Sequence, residues 1–150
     1  MFGIRGDAPD VAAELARYTA LLEEYKPVVC VLGIGENGHL AFNDPPADFT
    51  TSQTIHVVNL DETCRRQQVG EGHFAGLDEV PRQAISLTVP ALLRPAHVMG
   101  LVPEARKARA VQAALEGPVT EHCPASILRT QAHVKLYLDR DSAALLHLPS

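Results

Sequence analysis

Glu36, Asn37, His39, Asn43 and Asp44 crowd one glycine-rich turn within the stretch VVCVLGIGENGHLAFNDPP, Val28 to Pro46. Imidazole is the side chain that titrates near neutral pH, and a carboxylate beside it fixes its orientation. An imidazole held between a polar amide and a carboxylate is a proton-transfer unit. Gly33 and Gly38 carry no Cβ, so a substrate can approach the backbone closely there. A lone loop histidine is more often structural. Here the density of polar groups, in a turn that follows an apolar strand, favours chemistry.

The same turn spells Gly33-x-Gly35-x-x-Gly38, the spacing of a dinucleotide fingerprint. That site needs its third glycine to open a full crossover helix facing the pyrophosphate. Gly38 is instead followed by HLAFNDPP, in which Pro45 and Pro46 remove two N–H donors and bias Asp44 away from helical angles. An acidic residue does follow the next strand, at Asp61, but the missing helix decides against a nicotinamide or flavin cofactor. What remains is a turn at the carboxyl end of a parallel strand, where open α/β sheets place their ligands.

The elements that must position this turn are legible from periodicity. Val11, Leu15, Tyr18, Leu22 and Tyr25 recur at helical spacing, which predicts a helix from Pro9 to Tyr25 with Pro9 in its first turn. VVCVLGI predicts a strand buried on both faces of a parallel sheet. Strands are expected at Thr54–Leu60, AISLTVP, AHVMGLVP and HVKLYLD, and helices at Asp61–Gln68 and Glu104–Leu115, with a short closing helix through Leu146. Alternating strands and helices in 150 residues give one α/β domain, a Rossmann-like layered fold with a mainly parallel sheet. No βα unit precedes the first helix, so the sheet should be small and expose an apolar edge.

Thirteen Lys and Arg against 18 Asp and Glu give a net charge of −5, which offers no global attraction for nucleic acid or an anionic membrane. No segment has the roughly 20 apolar residues of a membrane span. Cys30, Cys64 and Cys123 are widely spaced and read as reduced thiols of a cytoplasmic protein. His97, His122, His133 and His147 read as structural, and with His56 and His73 they show no metal-ligand spacing.

The turn GIGENGHLAFND resembles the signature of the glucosamine-6-phosphate deaminase (isomerase) family, Gly-x-Gly-x-Asp-Gly-His-x-Ala-Phe-Asn-Glu. GDAPDVAAELARY before it, and VPRQAISLTVPALLRPAHVMGLVPEARKARAVQAALEG and PASILRTQAHVKLYLDRDSAALL after it, are similar to the family's flanking segments, so the likeness covers almost the whole chain. It implies conversion of glucosamine 6-phosphate to fructose 6-phosphate and ammonia, without metal or redox cofactor, in amino-sugar catabolism. His39 falls on the histidine that opens the sugar ring. Asn37 stands where the family has an aspartate that positions this histidine, and Asp44 where it has the glutamate that completes the relay. Both depart from the pattern, which implies a retuned histidine or a related amino-sugar or sugar-phosphate substrate; Glu36 is a candidate for the missing charge.

Lys107 aligns with a lysine that binds the sugar's phosphate, and a helix's first turn already favours an anion; taken alone, a Lys beside Arg106 and Arg109 reads as a solvated face. In CRRQQ, Arg65 or Arg66 falls near the second phosphate-binding cation, with Arg65 preferred. The resemblance also implies that the chain corresponds to the C-terminal three fifths of such an enzyme, without the family's N-terminal phosphate loop and proton-shuttling acid. The expected partner is an amino-sugar phosphate, with a homo-oligomer or a complementing N-terminal segment left open, and the isolated chain is expected to show little deaminase turnover. The related 6-phosphogluconolactonase branch continues after its histidine with Ala-Ser-Leu-Phe-Pro-Gly, unlike LAFNDPP. A non-catalytic sugar-phosphate binding module is the third reading.

Overall fold

The computed structural model describes residues 1–147. In chain order its elements are α1 (Val11–Tyr25), β1 (Val29–Leu32), β2 (Ile55–Asn59), α2 (Glu62–Gly70), β3 (Gln83–Leu87), α3 (Val89–Leu92), β4 (His97–Val102), α4 (Ala108–Glu116) and β5 (Val134–Leu138). Short 3-10 turns occupy Leu77–Glu79, Ala105–Lys107 and Pro124–Thr130.

β1, β4 and β5 form a three-stranded parallel sheet in that order, with Val29 opposite His97 and Val98 opposite Val134. This is the expected α/β class. β2 and β3, expected to join the same sheet, instead make a separate antiparallel ribbon in which Ile55 pairs with Leu87 and Asn59 with Gln83. The three parallel strands end on the same edge of the sheet, so the segments after β1 and β4 both emerge beside His39's turn.

One face of the sheet is packed. Leu32, Val98 and Val102 meet Ala110, Val111 and Ala114 of α4, Val89 and Leu92 of α3, and Ala125 and Leu128 of the last 3-10 turn. Fully burying one such Val or Leu contributes about 1.5–3 kcal/mol. Gly100 at the centre of β4 lets Leu136 and Leu32 meet across it; a Cβ there would collide with Leu136. The opposite face is open, and here the expectation of a strand buried on both sides fails: Val31 is 61% exposed, with Val29, Leu101 and Tyr137 also exposed. Side chains alternate across a strand, so burying both sets needs two covering layers, and α4 with α3 supplies one.

α1 starts two residues later than its periodicity suggests. Asp10 takes the cap, with its Oδ1 accepting the Ala13 N–H at 3.0 Å, which leaves Pro9 outside the helix. Lys26, in a left-handed conformation (φ 41°), ends it. Its buried residue is not one of the apolar stripe but Glu14. That carboxylate accepts Arg17 Nε at 2.7 Å and the Arg5 N–H at 2.8 Å, while Arg17 also donates to Gly3 O at 2.9 Å, so one acid ties down the N-terminal segment. The Arg17 hydrogen bonds, then that from Arg5, lower its pKa to about 2. A depressed carboxylate stabilises the fold above its unfolded pKa, about 4.3, and the contribution is lost as pH falls through the folded value. The stability difference between the wild type and Glu14→Gln is therefore expected to shrink as pH falls from about 4.3 towards 2, measured by thermal melts. A difference constant over that range would contradict the anchoring role.

Candidate active site

The turn after β1 folds on its own backbone. Gly35 N–H donates to His39 O at 3.0 Å and Gly38 N–H to Gly35 O at 3.0 Å, closing a loop that Leu40 and Asn43 extend as an isolated bridge. Asn43 holds the turn to the ribbon: its Nδ2 donates to Leu40 O at 2.7 Å and Leu87 O at 2.8 Å, and its Oδ1 faces His56 Nε2 at 3.0 Å. Ser86 Oγ accepts the Phe42 N–H at 3.1 Å. Asn43 is thus an anchor spent on structure.

His39 is buried, 7% exposed, with its ring lying over Gly35; any Cβ on Gly35 would occupy the ring's place. The bare glycine required here is therefore Gly35, and what approaches it is the imidazole. Gly33 and Gly38 turn elsewhere: a Cβ on Gly33 would lie 3.7 Å from Leu101 O, and one on Gly38 would press on Cys123 Sγ. Their α-carbons meet protein atoms, so the substrate-approach role expected of them gains no support from the geometry.

Asn37 and Asp44 both reach His39. Asn37 Oδ1 accepts the His39 backbone N–H at 3.0 Å and faces His39 Nδ1 at 2.8 Å, while its Nδ2 donates to Asp44 Oδ1 at 3.1 Å. Asp44 Oδ1 is also 3.3 Å from His39 Nδ1. Two acceptors therefore face Nδ1, which carries the proton, and Nε2 is left with the lone pair. Asn37 does more than fill an aspartate's place: it bridges ring and carboxylate. Glu36 does not supply charge to this relay; it pairs with Arg106 at 3.5 Å, tying the turn after β1 to the segment after β4.

Burial pushes the Asp44 carboxyl pKa up, but hydrogen bonds from His39 and Asn37, the His39 charge and the Cys64 thiol outweigh it and hold it below the usual value. Among the described residues, Asp44 Oδ2 is buried without a hydrogen-bond partner. Cys64, itself buried, is the nearby group, and burial followed by the charge of Asp44 raises its thiol to about 12. Cys64 was not legible as part of this site, because its approach to Asp44 depends on α2 being capped by Asp61, whose Oδ1 accepts the Cys64 N–H at 2.7 Å.

The cations divide. Lys107 is 8% exposed and sits on the 3-10 turn just before α4, rather than in the first α-helical turn, with its Nζ 3.8 Å from Glu71 Oε1. Arg109 lies on the solvated face. Arg65 is not free: its Nη2 donates to Leu77 O at 2.5 Å and Val80 O at 3.0 Å, and its Nε to Val80 O at 3.2 Å, so it staples the loop after α2. Arg66 pairs with Glu62 on the exposed side of α2. Three of the five N–H donors of Arg65 are committed to these carbonyls, which leaves only Nη1 for a phosphate. An apolar cavity of about 630 Å³ lies between the N-terminal segment and the ribbon, lined by Ile4, Phe42, Val57, Phe74, Val80 and Ile85 among others; His39, Asp44 and Lys107 do not line it.

The candidate site is thus a polar glycine turn at the carboxyl edge of a parallel sheet, with a nearly buried lysine on the loop after β4. The chain belongs to the family described as glucosamine-6-phosphate isomerases/6-phosphogluconolactonase, whose family model matches residues 1–138. It is 40% identical over 141 residues to the glucosamine-6-phosphate deaminase of Oenococcus oeni, covering 94% of this chain and 58% of that protein. Identity to the Streptococcus pyogenes protein of the same name is 37% over 141 residues, again 94% and 58%. A monomeric glucosamine-6-phosphate deaminase of solved structure superposes with a TM-score of 0.88 at 35% identity, covering 97% of this chain and 59% of that one. A 6-phosphogluconolactonase from Trypanosoma cruzi, 19% identical with a TM-score of 0.65 over 91% of this chain and 51% of its own, shares the fold. The chain thus spans about three fifths of the length of the curated relatives it matches. Among the described residues no helix is long and apolar enough to cross a membrane.

Proposed function

We propose that this chain binds an amino-sugar phosphate and opens its ring with His39, the first step of a glucosamine-6-phosphate deaminase/isomerase reaction. The observation that carries the reading is the pinned imidazole. With Nδ1–H held by Asn37 at 2.8 Å and Asp44 at 3.3 Å, Nε2 is the nitrogen left for substrate. It takes the proton of the anomeric hydroxyl and returns it to the ring oxygen as the C1–O5 bond breaks, leaving the open aldehyde. The imidazolium formed between these events is stabilised by the ionised Asp44. Lys107, nearly buried on the adjacent loop, is the phosphate ligand in this reading. Isomerisation of the aldehyde to the ketose and release of ammonia complete the reaction that the relatives are named for.

The lactonase alternative has support from the breadth of the matching family and from the shared fold, at 19% identity. The free state of Cys30, Cys64 and Cys123 supports a reducing, cytoplasmic compartment, and the substrate class supports a place in N-acetylglucosamine catabolism.

Ring opening is readable apart from ammonia release, as exchange between the α and β anomers of glucosamine 6-phosphate by NMR. Catalysed exchange is expected for the phosphorylated sugar, with unphosphorylated glucosamine as control. The phosphorylated sugar alone should also raise the melting temperature, by the equivalent of about 2.7 kcal/mol at 100 times its dissociation constant. Absence of both catalysed exchange and a phosphate-dependent shift would reject the reading.

A further inference from the structure

Glu71 closes α2 and places one carboxylate oxygen among donors from two elements. Oε1 accepts Gln67 Nε2 at 2.8 Å and lies 3.8 Å from both Lys107 Nζ and Arg106 Nη2. Oε2 faces His73 Nε2 at 3.7 Å. Arg106 is shared with Glu104 at 2.8 Å and Glu36 at 3.5 Å, whereas Glu71 is the carboxylate that faces Lys107. Both cation contacts are ion pairs that stand back beyond hydrogen-bond length. A charge-assisted hydrogen bond would close to about 2.7–2.9 Å. The carboxylate is therefore held chiefly by Gln67 and only loosely by the cations. The backbone here is fixed, with Glu71 N–H on Gln67 O at 2.9 Å and Gly72 N–H on Val69 O at 3.0 Å, so displacement of the carboxylate is a rotation of the Glu71 side chain alone.

We infer that Glu71 is an internal occupant of the phosphate seat, a carboxylate that neutralises Lys107 and Arg106 until a more highly charged anion displaces it. The inference rests on the reading of Lys107 as the phosphate ligand. It makes Glu71 a specificity determinant: a phosphate dianion outcompetes a single carboxylate for these cations, while a monoanion such as acetate gains nothing over the occupant already there. Removing the charge at 71 therefore strengthens phosphate binding and relaxes the discrimination against monoanions.

The test is titration of the full chain with inorganic phosphate and with glucosamine 6-phosphate by calorimetry, using the wild type, Glu71→Gln, Glu71→Asp and Lys107→Ala. Glu71→Gln keeps the shape and the contact with Gln67, and is expected to bind both ligands roughly three- to tenfold tighter, the range of two partly screened ion pairs removed. Glu71→Asp, with a carboxylate that reaches less far, should fall between the two. Acetate should compete with phosphate in Glu71→Gln and not in the wild type. Unchanged or weaker binding in Glu71→Gln, with Lys107→Ala still weakening it, overturns the inference and leaves the Lys107 reading standing. Unchanged binding in Lys107→Ala overturns that reading and the inference with it, and so does binding to none of the proteins.

Discussion

His39→Gln is expected to slow the anomer exchange of glucosamine 6-phosphate by roughly 10²–10⁴-fold, the range contributed by a positioned acid–base side chain. Glutamine matches part of the ring's volume over Gly35 and can hydrogen-bond the substrate, but it cannot take up and return a proton at neutral pH. Binding is the control: Lys107 lies on a different loop, so the dissociation constant of the sugar phosphate should stay within a few-fold. A rate loss without an affinity loss is the signature of an interaction made only in the transition state. If exchange in His39→Gln equals that of the wild type, ring opening by His39 is refuted. Loss of binding as well would show that the ring is needed to build the turn. Some stability should also go, because His39 Nδ1 is one of the donors facing Asp44, and a buried acceptor left short of a partner costs about 1–3 kcal/mol.

The same network explains why an amide serves at position 37. Asn37 Nδ2 donates to Asp44 Oδ1 at 3.1 Å, so an aspartate in its place would set two acceptor oxygens against each other at that distance. Two carboxylates so close cannot both ionise readily. The amide gives one acceptor to the histidine and one donor to the acid, leaving a single negative charge in the relay. The shorter Asp44 reaches His39 because the turn is drawn tight by Asn43, whose amide is bound to both Leu40 O and Leu87 O.

Local signals carried much of this. The run of Val28 to Leu32 ending in glycines located the site at a strand's carboxyl end, and His39, Asn37 and Asp44 do meet there. Helix periodicity found α1 and α4 within a few residues, because an apolar stripe at 3.6 spacing is written in neighbouring positions. The failures come from contacts between distant residues. Arg65 looked available for a phosphate, but whether a guanidinium is free depends on where the carbonyls of Leu77 and Val80 fall. Glu36 looked poised to charge the relay, yet Arg106 from another loop draws it off. Cys64 and Glu71 carried no signal at all, since Cys64 nears Asp44 and Glu71 nears Lys107 only once α2 is laid against the turn after β1 and the segment after β4. β2 and β3 were recognisable as strands; their separation into an antiparallel ribbon is a pairing choice that single-strand patterns do not encode.

Gly38→Ala is expected to destabilise the protein by about 2–5 kcal/mol, from two separable causes. Gly38 holds φ +85°, where an L-residue with a Cβ is strained by about 1–2 kcal/mol. The new Cβ would also stand 3.0 Å from Cys123 Sγ, closer than two such atoms sit comfortably, and overpacking of this kind costs about 1–3 kcal/mol. The Cys123 backbone cannot retreat, because its N–H is bound to Thr120 O at 3.0 Å and its O accepts the Ser126 N–H at 2.8 Å, so relief has to come from a change of the thiol rotamer. Cys123→Ala separates the causes. It removes the sulfur and leaves the Cys123 Cα at 3.7 Å, an ordinary contact, while leaving φ unchanged. In denaturant titrations the double variant should therefore be more stable than the sum of the single losses predicts, by about 1 kcal/mol or more. Strict additivity would mean that the backbone angle alone demands glycine. A neutral Gly38→Ala would mean that the turn itself is not the one described. The distinction matters for His39, because Gly38 N–H closes on Gly35 O at 3.0 Å and Ala125 N–H holds Gly38 O at 2.8 Å. Any outward shift of Gly38 pulls on the glycine beneath the imidazole, so the part of the strain that the turn absorbs should reappear as slower ring opening in Gly38→Ala and recover in the double variant.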